Sequence, residues 1–139
     1  MQNAPRNALS RAIFFLSKAD ACKITEKDDC LAYLEASIIF ARAVAHRVKE
    51  CKKEAWDSWK EEPAVRFFRE ERDFILKENS PKIGQKIYAP FFVNGGESIP
   101  PSEKSGPDLF YFKDSNKTAA KEISDNLNEL EKLLSAVEL

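Results

Sequence analysis

Arg72 stands where an aliphatic side chain is expected. Val65, Phe68, Arg72 and Ile75 follow one another at steps of 3, 4 and 3 residues, the spacing of a single helix face. A guanidinium held in such a stripe needs a carboxylate, a cage of carbonyls or a ligand anion, because burying it alone is costly. The milder reading is that the stripe is slightly rotated and Arg72 snorkels at its edge. A second line, Glu35, Ile39, Arg42 and His46 at spacings of 4, 3 and 4, runs beside the apolar seam Leu31, Leu34, Ile38, Ala41, Ala45 and Val48. Glu35 can pair with Arg42 along this line or reach across to Arg72. His46 is the one histidine of the chain. Without a second histidine it builds no usual catalytic zinc site, and no Ser or Cys beside it marks a nucleophile. Its plain role is structural; its chemical role is a phosphate contact or a proton transfer.

Other chemistry-bearing patterns are weaker. Arg66, Arg69 and Arg72 recur at three-residue steps with Lys77 beyond them, but Glu70, Glu71 and Asp73 interleave. That pattern reads as a solvated mixed face or as an anion-binding strip. There is no Gly-rich phosphate loop, and Gly95-Gly96 reads as a turn. Trp56 and Trp59 flank the break after the long second helix and are expected to cap the end of a bundle. Cys22, Cys30 and Cys51 are odd in number and lack C-x-x-C spacing, so they are expected to be reduced structural thiols. No cofactor or metal is expected.

Four helices are predicted to carry these residues. The first covers residues 5–22, with Pro5 in its opening turn, Leu9, Ala12/Ile13, Leu16 and Ala19 on one face, and Phe14 and Phe15 widening that stripe. The second covers 29–52, with Asp28 or Asp29 expected to cap it. The third starts at Pro63 and ends at Ser80, before Pro81. The fourth carries Ala120, Ile123, Leu127, Leu130, Leu134 and Val137. Residues 81–113 change character: Ile87 to Val93 reads as an edge strand entering a hairpin turn at Asn94-Gly95-Gly96, residues 99–107 as a loop, and Leu109 to Phe112 as a second short strand. The expected fold is all-α, a four-helix bundle with a short β-hairpin or loop insertion before the last helix, forming one domain over residues 1–139.

Composition sets the outer limits. The chain is 139 residues, 43% hydrophobic and 32% charged, which excludes a disordered tail and a membrane protein. It holds 22 Lys+Arg against 23 Asp+Glu, for a net charge of −1, so no global basic field advertises nucleic-acid binding. The apolar run from Ala12 to Leu16 is too short for a signal peptide or a spanning helix, and a cytoplasmic location is expected.

The run from Phe67 to Glu78, FFREERDFILKE, resembles the signature helix of the HEPN superfamily. The run from Leu31 to Arg42, LAYLEASIIFAR, is similar to the superfamily's second helix, where an acidic residue and small residues face the motif. Ribonuclease members carry Arg-Asn-x-x-x-His on the third helix. Here Arg72 matches the Arg, Asp73 stands for the Asn and Lys77 for the His. The resemblance implies a four-helix bundle, dimerisation with the motif helices facing each other, and metal-independent attack of a ribose 2′-hydroxyl in active members. The departures alter the chemistry. Lysine's ordinary pKa of about 10.4 makes Lys77 a poor proton shuttle but a good phosphate contact. Asp73 puts an anion where the family has a neutral amide.

Three readings result. The first is a catalytically degenerate HEPN-like homodimer that binds RNA or a nucleotide phosphate in a cleft around Arg72, Asp73, Lys77, Glu35 and Arg42, in a toxin–antitoxin or defence setting. The second is an atypical metal-independent ribonuclease using Arg72 and Lys77, with His46 assisting if the second helix presents it toward Arg72. The third is a structural interaction bundle in which Arg72 and Glu35 form a buried specificity pair.

Overall fold

The computed structural model describes residues 3–77, 92–93, 97–98, 110–112, 117–137 and 139; the side chains of Ile24 and of residues 74–77, 92–93 and 97–98 lie outside that description. Its elements are α1 (Ala4–Asp20), a 3-10 turn (Ile24–Glu26), α2 (Lys27–Cys51), α3 (Lys53–Trp59), α4 (Pro63–Lys77), β1 (Phe92–Val93), β2 (Glu97–Ser98) and α5 (Ala119–Ala136). The fold is mainly helical.

Helix α2 is the hub, packing against α1, α3, α4 and α5. Small residues set its approach to α1: Ala8, Ala12 and Ala19 are fully buried on one side and Ser37 and Ala41 on the other. The Ser37 hydroxyl donates to the Ala12 carbonyl at 2.8 Å, so this buried polar group is satisfied. Outside that seam Phe15 stacks between Tyr33 (6.3 Å, 25°) and Phe40 (5.5 Å, 10°). Those two rings are seven residues apart on α2, two helical turns, which leaves a gap one ring thick.

The expected seam of α2 is widened. Cys30, Ser37 and Val44 are buried as well as Leu34, Ile38, Ala41, Ala45 and Val48, while Leu31 is only half-buried. A helix packed from several directions buries more than a two-residue-per-heptad stripe. Its start also differs. Asp28 and Asp29 lie inside the first turn, where they favour the helix dipole, and neither caps it. Glu26 accepts the Lys23 backbone N–H at 2.9 Å in the turn before.

Helix α3 was not expected; Lys52 leaves helical angles (φ −148°, ψ 71°) and the chain re-enters a helix at once. This turn places Trp59 in the core, 1% exposed. Lys52 Nζ donates to the Val137 carbonyl at 2.5 Å, and Arg47 Nη1 to the Ala4 carbonyl at 2.9 Å. Arg6 pairs with Glu131 and donates to the main-chain oxygen of Leu139. These contacts tie the start of α1 and the end of α2 to the end of α5.

Thr118 Oγ1 accepts the Lys121 N–H at 3.2 Å and caps α5, whose buried face is Ala119, Ile123, Leu127, Leu130 and Leu134. Val137 falls outside the helix and is half-buried. Phe110 and Phe112 join the core ahead of α5: the Ala119 N–H donates to the Phe110 carbonyl at 2.7 Å, and Tyr111 bridges to Thr118. β1 and β2 pair antiparallel, with Phe92 opposite Ser98 and Val93 opposite Glu97. The expectations for residues 87–91, the turn at 94–96, the loop at 99–107, Leu109 and the end of the third helix at 78–80 lie outside the described residues.

Candidate functional site

The core face of α4 is Ala64, Val65, Phe68 and Glu71. Glu71, 7% exposed, takes the position that the periodicity assigned to Arg72. Both lie one turn beyond Phe68, at three and four residues, and spacing alone does not choose between them. Arg72 is turned about 100° further around the helix. Its side chain is 40% exposed and donates from Nη1 to Asp73 Oδ1 at 3.1 Å. The buried guanidinium expected in this stripe is therefore corrected: Arg72 snorkels on the shoulder of α4, with its charge partly in solvent.

That shoulder faces the polar line of α2. Arg72 lines a pocket of about 250 Å³ together with Ile39, Arg42, Ala43 and His46. Three of the expected site residues thus meet in one concavity, and the apolar Ile39 and Ala43 lie between them. Ala43 was not anticipated, although its small side chain four residues after Ile39 makes the room. The spacing 39, 43, 46 was the available signal.

Arg42 carries an electrostatic load that its neighbours do not fully relieve. Its Nε and Nη1 are buried and have no hydrogen-bond partner among the described residues. Burial pushes its pKa below the ordinary arginine value; the charges of Arg72 and Arg69 push the same way, and Asp73 opposes them. A guanidinium stays protonated under such pressure, so the strain is a standing demand for negative charge. Asp73 meets part of it from the edge, through Arg72.

Glu35 does not. It is half-buried, burial alone raises its carboxyl above the ordinary range, and it makes no ion pair among the described residues. The expected Arg72–Glu35 and Arg42–Glu35 pairs are accordingly not formed. His46 is exposed, with Nε2 3.0 Å from Glu50 Oε1 on the next turn. Lys77 is the last residue of α4, and its side chain lies outside the described residues.

The arrangement suits an anion with a small apolar appendage. Arg42 offers donors already stripped of water, Arg72 adds charge at the mouth and His46 a ring nitrogen, and a phosphate oxygen can accept from both guanidinia. Among the described residues no three His, Cys, Asp or Glu are grouped to hold a metal, and no helix is long and apolar enough to cross a membrane. Cys22 and Cys30 are buried thiols outside any disulfide; burial, with Glu26 and Asp29 nearby, raises the Cys22 pKa. Compared with known protein families, curated proteins and solved structures, the chain matches none.

Proposed function

We propose that this chain is a catalytically degenerate HEPN-like protein: a four-helix bundle with a hairpin insertion before its last helix, cytoplasmic and homodimeric, that binds RNA or a nucleotide through phosphate in a toxin–antitoxin or defence setting. The observation that carries this reading is the pair of buried, unpartnered Arg42 N–H groups beside a pocket that Arg72 and His46 also line. An unsatisfied buried donor costs about 1–3 kcal/mol, and a phosphate oxygen removes that cost while relieving repulsion among the three arginines.

Degeneracy follows from the side chains. Asp73 repels a phosphate backbone that an amide would accept, and Lys77 gives up protons too reluctantly to serve as acid or base near neutrality. One observation favours the ribonuclease alternative: His46 lines the same pocket as Arg72 and has the proton chemistry that Lys77 lacks.

The test is a titration of end-labelled single-stranded RNA. Binding should weaken steeply with salt, by a slope of about −0.7 per phosphate contacted. Arg42→Ala and Arg72→Ala should each weaken it about five- to tenfold and flatten the slope. The RNA should remain intact. Cleavage that disappears in His46→Ala would establish the ribonuclease, and salt-insensitive or absent binding would remove the phosphate site. Sedimentation should give twice the 15.8 kDa chain mass.

A further inference from the structure

We propose that the outer face of α1, with Phe14 at its centre, is a base-stacking contact for single-stranded RNA, separate from the Arg42–Arg72 pocket. The inference rests on the phosphate-binding reading for its choice of ligand and adds a second surface to it.

Phe14 and Ile13 are the exposed large hydrophobic residues of the described chain, 53% and 49% open to solvent. Phe14 is not a loose surface ring. It stands edge-on to Phe15 at 5.3 Å and 76°, and Phe15 is clamped in the Tyr33–Phe40 stack. A ring fixed in this way loses little freedom when a base lies against it. Two exposed cations lie over ring faces, Lys18 Nζ over Phe14 at 5.4 Å from its centroid and the Arg11 guanidinium over Phe40 at 5.8 Å, so a base stacking on Phe14 displaces the Lys18 ammonium toward the neighbouring phosphate. Aromatic faces paired with exposed cations match the succession of base and phosphate along a strand.

Charge selects this occupant over the others. A second copy docking face to face would set Arg11 and Lys18 against their own duplicates. A lipid surface would need more than two projecting apolar side chains, and the neighbouring exposed positions of α1 are Ser10, Ser17 and Asp20. The aromatic stack and the basic pocket lie on adjoining faces of α2: Phe40 of the stack follows Ile39 of the pocket and lies one turn before Ala43. A helix is about 10–12 Å across, so a strand of several nucleotides that crosses it reaches both.

The experiment measures anisotropy and 2-aminopurine quenching with an oligouridylate of about 12 nucleotides carrying one 2-aminopurine, within single-strand site sizes. Phe14→Ala should weaken binding about tenfold, leave the salt slope unchanged and abolish part of the quenching. Phe14→Trp should restore both. Arg11→Gln with Lys18→Gln should reduce the slope by about one to two phosphates. Wild-type affinity and quenching in Phe14→Ala overturn the platform, and the pocket still stands if Arg42→Ala and Arg72→Ala weaken binding. The reverse pattern removes the pocket and keeps the platform. No binding of the oligonucleotide by the intact chain overturns both. Dependence on Phe14 seen only with phosphatidylserine vesicles, or only in self-association, assigns the face elsewhere and overturns the proposal.

Discussion

The two flanks of α2 are built on opposite terms. Toward α1, every group described has found company: Ser37 bonds Ala12, small side chains let the backbones close, and Phe15 fills a slot between Tyr33 and Phe40. Toward α4, Arg42 is half-buried with donors unmet, the arginines nearest to it repel it, and Ile39 and Ala43 line open space. Polar groups left short in a low-dielectric setting are where a fold gives up stability, and such places are often reserved for a ligand. The first flank holds the helices together; the second has the means to bind.

The sharpest way to break that contrast is to empty the slot. Phe15→Ala should destabilise the chain by about 3 kcal/mol, because a ring's worth of buried surface and two stacking contacts are lost together. Phe15→Leu keeps most of the burial and should lose only about 1 kcal/mol. Urea titration of both variants reads the difference. Equal losses would mean that the stack alone, and not buried area, joins α1 to α2, and a Phe15→Leu variant as stable as the parent chain would mean the reverse.

The opposite sign is expected on the α4 flank. Arg42→Met keeps the aliphatic stem, removes an unmet cation and ends its repulsion with Arg72 and Arg69, so it should stabilise the chain by about 1 kcal/mol while abolishing most phosphate binding. Thermal unfolding with and without phosphate checks both halves. A less stable variant would show that Arg42 is satisfied in solution, and the contrast between the flanks would disappear.

How far these flanks were legible from sequence differs in the same way. Apolar spacing located the buried faces of α2 and α5, since burial of Leu34, Ile38, Leu127 and Leu130 depends only on periodicity, but on α1 it also drew in Ile13 and Phe14, which lie just past the stripe and are exposed. It also put Glu35, Arg42 and His46 on one line. It failed at Arg72, where a choice between three- and four-residue steps decides which charged neighbour is buried, and the packing of α4 chose Glu71. Pairing was illegible for a related reason: Glu35 and Arg42 are seven residues apart, and whether two side chains meet depends on rotamers set by tertiary neighbours. The short α3 was hidden in a charged stretch whose only strong tertiary signal is Trp59, and the aromatic slot required two helices to be placed at once.

Glu35 gives the smallest effect and the finest discrimination on the α4 flank. Burial raises its carboxyl pKa above the ordinary 4.5, so the folded chain keeps this proton to a higher pH than the unfolded chain. Its contribution to stability is therefore complete below pH 4.5 and is lost as pH rises through the folded-state value. Above that range the ionised carboxylate opposes folding, by less than about 1 kcal/mol because half-exposure lets water screen it. Glu35→Gln removes the titration. The variant should match the parent chain at pH 4 and below, and exceed it slightly at pH 7, in paired thermal melts across that interval. An ion pair between Glu35 and Arg42 or Arg72 would reverse the result, because the carboxylate would then support the fold at pH 7 and its loss would lower the melting temperature. That reversal would supply the anion that Arg42 lacks from within the chain, and the pocket would be a structural joint with no claim on phosphate.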